Sequence, residues 1–245
     1  MKDLVVALIL GRKGSKGIKD KNTMDILGRP SYHYSFDAAR QSKYITEIFV
    51  TSDHPVILNA AKKEKFHTIN RPKYLCTDNA LFEDALKHGY DEAKQILMKK
   101  PKYVVVLMCN SVTINSELID KSIEKLKLSK EADSIVTVSK LNMYSPLRAR
   151  KVNNNGFLDP FVPFDVFGDP SKLNCDRGSQ GDVFFADMSH SICKADCLEN
   201  INEGLLPQKW MGQKILPMLN QNGCDIDEPF QIDMSIRWLQ ENNSN

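Results

Sequence analysis

The six cysteines (Cys76, Cys109, Cys175, Cys193, Cys197, Cys224) include no CxxC pair. A zinc site on Cys193 and Cys197 would lack its second ligand pair. Met1 leads directly into a strand-like run, with no secretory h-region and no apolar stretch of spanning length. These features predict free thiols in a reducing cytoplasm, and no membrane association. There is little charge of either sign in excess: Lys plus Arg is 33, Asp plus Glu is 31, and the net charge is +2. A nucleic-acid binder would show a basic surplus, so any anion site here must be local. There are no internal repeats and no low-complexity tracts. The five histidines have neither metal-ligand spacing nor triad partners. Neither GxxxxGK[ST] nor GxGxxG occurs.

What the chain does have is alternation. LVVALIL (4–10) reads as a fully buried strand, and 30–42 as a helix with Pro30 in its first turn. EIFVTSD (47–53) is the next strand, HPVILNAAKKEK the next helix, and HTIN (67–70) a short third strand. Phe82, Ala85, Leu86, Gly89, Ala93 and Ile96 share one face of a long helix. Strand 103–108, helix 116–128 and strand 133–139 follow. This rhythm predicts a parallel sheet with helices on both faces. It breaks over 140–182, rich in Pro, Asn, Gly and aromatics, where NNNG reads as a hairpin turn. Alternation resumes at VFFADMSHSIC and continues through KILPM, CDID and a helix over 228–242. The chain reads as one domain, 1–245, carrying 140–182 as an excursion. Phe157, Phe161, Phe164 and Phe167 would be costly to leave in water, which predicts that the excursion packs on another surface, such as a second subunit.

Three stretches carry chemistry. GRKGSKGIKDKN follows the first strand, where ligands of open α/β sheets bind. Gly11, Gly14 and Gly17 would let N–H groups form an anion nest, with Arg12, Lys16 and Lys21 neutralising a triphosphate. The competing reading is a solvated basic turn. FVTSD ends in Asp53, either a ribose or metal ligand or a cap for the next helix. In CDID, Asp225 and Asp227 at i and i+2 of an extended segment point to one side. Such a pair repels unless a cation lies between, and hard oxygen ligands suit Mg²⁺. The alternative is that Asp227 caps the last helix. Arg71, Arg148 and Arg177 are isolated loop arginines, each a surface residue by default.

The pattern xRxGSKGxxxKN after the first strand resembles the CMP-sialic acid synthetase (acylneuraminate cytidylyltransferase) family. VTSD, NRP followed by LCTDNA, SPLR, and the late CDID extend the likeness along nearly the whole chain. The resemblance implies an α/β, doubly wound nucleotidyltransferase fold, Rossmann-like and GT-A-like, with a mostly parallel sheet and a dimerisation excursion. It implies a homodimer that transfers CMP from CTP to an acidic keto sugar and releases pyrophosphate. By the same resemblance, Arg12, Ser15, Lys16, Lys21 and Asn22 would bind CTP phosphates, with Gly11, Gly14 and Gly17 as their nest. Arg71 and Ala80 would face the base, and Asp225 and Asp227 would hold Mg²⁺ or Mn²⁺. Arg148 and Arg177 would lie toward the acceptor, joined by Asp187 and His190. Two stretches depart from the family: MCNSV (108–112) stands for Q-x-T-S-P, and DMSHS (187–191) for N-G-A-I-Y. Both fall in the half that would read the sugar, so other anionic acceptors (a Kdo-type acid, a phosphonate) enter as alternatives. A non-catalytic nucleotide-binding regulator is the alternative from another class.

Overall fold

The computed structural model describes residues 3–14 and 17–242, with Arg177 described by its backbone alone. In chain order the elements are β1 (Val5–Gly11), β2 (Asp25–Ile26), β3 (Arg29–Pro30), α1 (Tyr32–Gln41), β4 (Glu47–Ser52) and α2 (Pro55–Lys63). Then come β5 (His67–Asn70), α3 (Phe82–Leu97), β6 (Tyr103–Met108), α4 (Ser116–Leu128) and β7 (Ser134–Lys140). The last are β8 (Arg150–Val152), β9 (Leu158–Pro160), β10 (Phe184–Lys194), α5 (Ala195–Glu199), β11 (Ile215–Leu219) and α6 (Pro229–Asn242).

Seven strands form one sheet in the order β11-β7-β10-β6-β1-β4-β5. Only β10 runs antiparallel to its neighbours. β1 (VVALILG) is buried at every position, as a central strand covered on both faces must be. Its side chains alternate between two cores. Val5, Ala7 and Ile9 join Phe36 of α1, Ile57 of α2 and Ile119 of α4. Val6, Leu8 and Leu10 join Leu86 and Tyr90 of α3 and Leu198 of α5. A third cluster seats α6 (Trp238, Leu239) against Ile26, Tyr34, Val112 and Ile226. The sheet is therefore doubly wound. None of the helices among the described residues is long and apolar enough to cross a membrane.

The chain passes from β1 through α1 to β4, then returns through α3 to β6 on the other side of β1. The carboxyl ends of β1 and β6 thus flank the switch point where α/β sheets bind ligands. Leu10 pairs with Met108 at that edge.

Between β7 and β10 the chain leaves the sheet. Residues 141–183 hold 3-10 turns and one hairpin, β8–β9, closed by the Asn153 N–H on Phe157 O (2.8 Å) and by Gly156 at φ +83°. Phe157, Phe161 and Phe167 are exposed, while Phe164 is half-buried beneath the Arg150 guanidinium.

Candidate active site at the strand ends

β1 ends at Gly11, where a Cβ would come within 2.6 Å of the Cys109 sulfur. Close packing of β1 on the segment after β6 thus demands glycine there. The loop beyond is tied to its neighbours. The Arg12 guanidinium donates to Asp78 Oδ1 (3.1 Å) and to the Cys76 carbonyl (3.2 Å). Asn22 Nδ2 donates to the Arg12 carbonyl at 2.9 Å. The Lys13 N–H donates to Asp53 Oδ1 at 2.7 Å. Asp53 therefore anchors the loop, and the cap of α2 is His54, whose Nδ1 accepts from the Val56 N–H (3.2 Å). Gly14 sits at φ +71°, the left-handed region that favours glycine. Gly17 passes so close to Asp227 that a Cβ would lie 2.6 Å from its carbonyl oxygen. Ser15 and Lys16 lie outside the described residues.

The acidic pair arrives from the far end of the chain. Ile226 is fully buried in the third cluster, and its neighbours Asp225 and Asp227 line the cleft. The Ile226 N–H donates to Asn110 O (3.0 Å), and Asn110 Nδ2 donates to Ile226 O (3.1 Å). Asp227 does not cap α6 through its carboxylate: Gln231 Oε1 accepts the N–H groups of Asp227 (2.8 Å) and Glu228 (2.7 Å). The Asp227 carboxylate instead pairs with the Lys21 ammonium. Burial, and then the charge of Asp227, push the Asp225 carboxyl up to about 6, against the pull of Lys21.

These groups meet in a cleft of about 310 Å³. Arg12, Lys21 and Asn22 line it from the β1 loop, Arg71 and Ala80 from the segment after β5, and Asp225 and Asp227 from before α6. Arg71 is 8% exposed, its guanidinium donating to Thr51 O at 3.0 Å, and burial lowers its basicity. The remaining wall includes Phe82, Met108, Asn110, Met188 and Trp210.

The family model for cytidylyltransferases matches residues 6–155, which span the basic loop and the sheet through β7. The chain belongs to the cytidylyltransferase family. It is 22% identical over 251 residues to the N-acylneuraminate cytidylyltransferase of Escherichia coli O18:K1:H7, covering 99% of this chain and 54% of that one. It is 27% identical over 150 residues to a Helicobacter pylori protein described as pseudaminic acid cytidylyltransferase and UDP-2,4-diacetamido-2,4,6-trideoxy-beta-L-altropyranose hydrolase, covering 61% of this chain and 28% of that one. The chain therefore spans 54% of the length of the first relative and 28% of the second. Two solved structures share the fold over 98% of this chain. CMP:2-keto-3-deoxy-manno-octonic acid synthetase complexed with CTP has a TM-score of 0.66 at 13% identity over 99% of its length. The 4-diphosphocytidyl-2C-methyl-D-erythritol synthase of Anaerococcus prevotii has a TM-score of 0.62 at 14% identity over 100% of its length.

Three of the four expected acceptor-side residues, Arg148, Asp187 and His190, do not line the cleft. His190 is 1% exposed and faces α4, its Nε2 2.8 Å from Ser122 Oγ, and burial drives its pKa down to about 3. Asp187 is 7% exposed, its carboxyl raised by burial and held back by Thr137, Ser189 and Asn220. The reason for both is a bulge. β10 pairs Ala186 with Val138 but Ser191 with Val136, so five steps on β10 oppose two on β7. Within it Asp187 Oδ1 accepts the Ser189 N–H (2.9 Å) across Met188, which adopts φ +59°. His190 exchanges two bonds with Thr137 Oγ1, at 3.1 and 3.2 Å. The bulge turns Asp187 and His190 inward and leaves Met188 on the cleft wall. Arg148 belongs to a second cavity in the excursion, donating to Cys175 O (2.6 Å) and Gln180 Oε1 (3.3 Å). The Arg177 side chain lies outside the described residues. Asn110, Met188 and Trp210 are among the wall residues that sequence reasoning missed. For Asn110 a signal existed, since it lies in the MCNSV stretch singled out as divergent; the others carry none.

Proposed function

We propose that this cytidylyltransferase transfers CMP from CTP to an acidic keto sugar of the sialic, pseudaminic or Kdo type and releases pyrophosphate. The observation that carries this reading is the meeting of Arg12, Lys21 and Asn22 with Asp225 and Asp227 in one cleft at the β1–β6 switch point. In the reaction the acceptor hydroxyl oxygen bonds to the α-phosphorus, the α–β bridging bond breaks, and the hydroxyl proton is lost. Such a transfer needs alignment and charge neutralisation more than covalent help from the protein. Arg12, Lys16 and Lys21 supply positive charge to the phosphates, and Ser15 a hydroxyl donor. Asn22 braces the loop through the Arg12 carbonyl. Arg71 and the backbone at Ala80 frame the base.

Asp225 and Asp227 would hold Mg²⁺ or Mn²⁺. The donor set fits: two adjacent carboxylates, one of them driven toward proton uptake first by burial and then by the charge of the other, suit a hard cation that shares its remaining ligands with phosphate oxygens. When bound, the cation offsets the negative charge that grows on those oxygens. The exposed Phe157, Phe161 and Phe167 support a homodimer formed through the excursion, which would also bring Arg148 and Arg177 to a subunit boundary. Pyrophosphate release from CTP across a panel of acidic keto sugars tests the reading. Release with none of them would overturn it.

A further inference from the structure

Asp225 is gripped on both sides along the chain. Downstream, the Asn110 carbonyl accepts the Ile226 N–H at 3.0 Å. Upstream, the Thr113 hydroxyl holds Cys224, accepting its N–H at 2.9 Å and donating to its carbonyl at 2.8 Å. The Cys224 carbonyl belongs to the peptide unit that enters Asp225, and the Ile226 N–H to the unit that leaves it. Peptide units are planar, so anchoring both restricts Asp225 at φ and at ψ. Asn110 stands in the cleft wall, and Thr113 lies behind it.

The Thr113 hydroxyl has one way to point. Trp238 Nε1 can only donate, and it donates to Asn220 Oδ1 at 2.9 Å. That sets the amide, so Asn220 Nδ2 donates to Ser189 Oγ at 2.9 Å and to Thr113 O at 3.1 Å. Ser189 Oγ lies 2.7 Å from Thr113 Oγ1. Cys224 offers Thr113 one donor and one acceptor. The threonine proton therefore goes to the Cys224 carbonyl, and the serine proton to Thr113 Oγ1. The row runs from Trp238 through Asn220, Ser189 and Thr113 to Cys224, with both lone pairs and the proton of Thr113 in use. All five residues are buried.

Ser189 joins the row from within the β10 bulge, between Ala186 and Ser191. Packing closes the turn beside it. A Cβ at Gly223 would come within 2.1 Å of Asn220 Nδ2 and 2.8 Å of Asp187 Oδ2. That Asp187 oxygen is buried without a partner, which costs stability. The turn stays closed over it, and the row next to it is fully paired.

We infer that Thr113 is a positioning residue for the cation, its hydroxyl fixing the backbone that presents the Asp225 carboxylate. The inference rests on the assignment of Asp225 and Asp227 to Mg²⁺ or Mn²⁺ made above. Thr113 acts through Cys224, not on metal or substrate. A partner that orients a metal ligand is worth about 10–100-fold in metal affinity.

The test titrates Mn²⁺ into the full chain at saturating CTP and counts free Mn²⁺ by its electron paramagnetic resonance signal. Thr113→Val removes the hydroxyl and keeps the shape. It should weaken Mn²⁺ binding by about 10–100-fold, with CTP affinity in calorimetry without metal unchanged. Thr113→Ser keeps the hydroxyl and should return Mn²⁺ affinity to near the wild-type value. Ser189→Ala withdraws one donor from Thr113 and should shift the Kd the same way by less. It decides the matter if thermal melts show that Thr113→Val does not fold. A lower melting temperature with unchanged Mn²⁺ affinity in the folded variants overturns the positioning role while the metal site stands. So does Thr113→Ser binding as weakly as Thr113→Val. Wild-type protein that takes up no Mn²⁺ beyond what CTP alone binds overturns the metal reading, and the role of Thr113 falls with it.

Discussion

Asn110 grips the peptide unit of Ile226 from both sides, accepting its N–H at 3.0 Å and donating Nδ2 to its carbonyl at 3.1 Å. The grip matters because Ile226 separates Asp225 from Asp227, so the asparagine sets where both carboxylates stand. Asn110→Ala should leave the Ile226 carbonyl buried without its partner, costing about 1–3 kcal/mol of stability. Catalysis should fall about 10–100-fold, the usual effect of removing a group that orients metal ligands. The diagnostic is a higher Mg²⁺ requirement at unchanged CTP affinity by calorimetry. A loss of stability with an unaltered Mg²⁺ profile would make Asn110 structural only.

Asp227→Ala removes a carboxylate that now faces Lys21. Because Gln231 Oε1, not the Asp227 carboxylate, accepts the N–H groups of Asp227 and Glu228 ahead of α6, the fold should survive, with the helix signal in circular dichroism intact. Turnover should drop on the order of 10²-fold or more, beyond what loss of a supporting group alone produces. Asp225→Ala should do the same. Near-normal pyrophosphate release by Asp227→Ala would remove the acidic pair from the chemistry.

Gly11→Ala places a methyl against Cys109, 2.6 Å from its sulfur and 2.8 Å from its Cβ. The site is buried on both sides, so overpacking should cost about 1–3 kcal/mol in denaturant unfolding. Adding Cys109→Ala removes the sulfur and should restore part of that loss. If the double variant is no more stable than Gly11→Ala, the clash lies elsewhere.

His190 gives the fold a defined response to acid. Its imidazole has an ordinary value of 6.5 and is held down at about 3 in the folded chain. Between those values the unfolded chain holds a proton that the folded chain refuses. Its contribution to stability is therefore intact above pH 6.5 and is lost as pH falls toward 3, by up to about 1.4 kcal/mol per pH unit for one proton. His190→Gln should flatten the pH dependence of the unfolding midpoint between pH 6.5 and 4. A parallel curve for the variant would show that other groups set the slope.

Much of the frame was legible in local patterns. LVVALIL and YVVVLM read as buried strands and proved to be β1 and β6. HTIN matched β5 residue for residue, and the apolar face of α3 followed from its spacing. The direction in which Asp225 and Asp227 point was legible for the same reason, since alternation around a buried Ile226 needs no tertiary knowledge. The bulge in β10 was not. A strand's parity can be read only while its register holds, and five steps against two on the partner strand reset it without a glycine to mark the place. Asp187 and His190 were therefore assigned to the wrong side, and Met188 went unnoticed. Trp210 reaches the cleft from a 3-10 turn whose position depends on packing against Phe82, a contact that no spacing rule foretells.

The pairing of Lys21 with Asp227 joins residues 206 positions apart. Closing so long a loop is entropically costly, so the contact is expected late in folding, after the sheet has assembled. The cleft is then the last part of the molecule to take shape. Substitutions at this pair should speed unfolding and leave the refolding rate nearly unchanged. The sheet can thus form at a rate independent of the charges that the cleft carries.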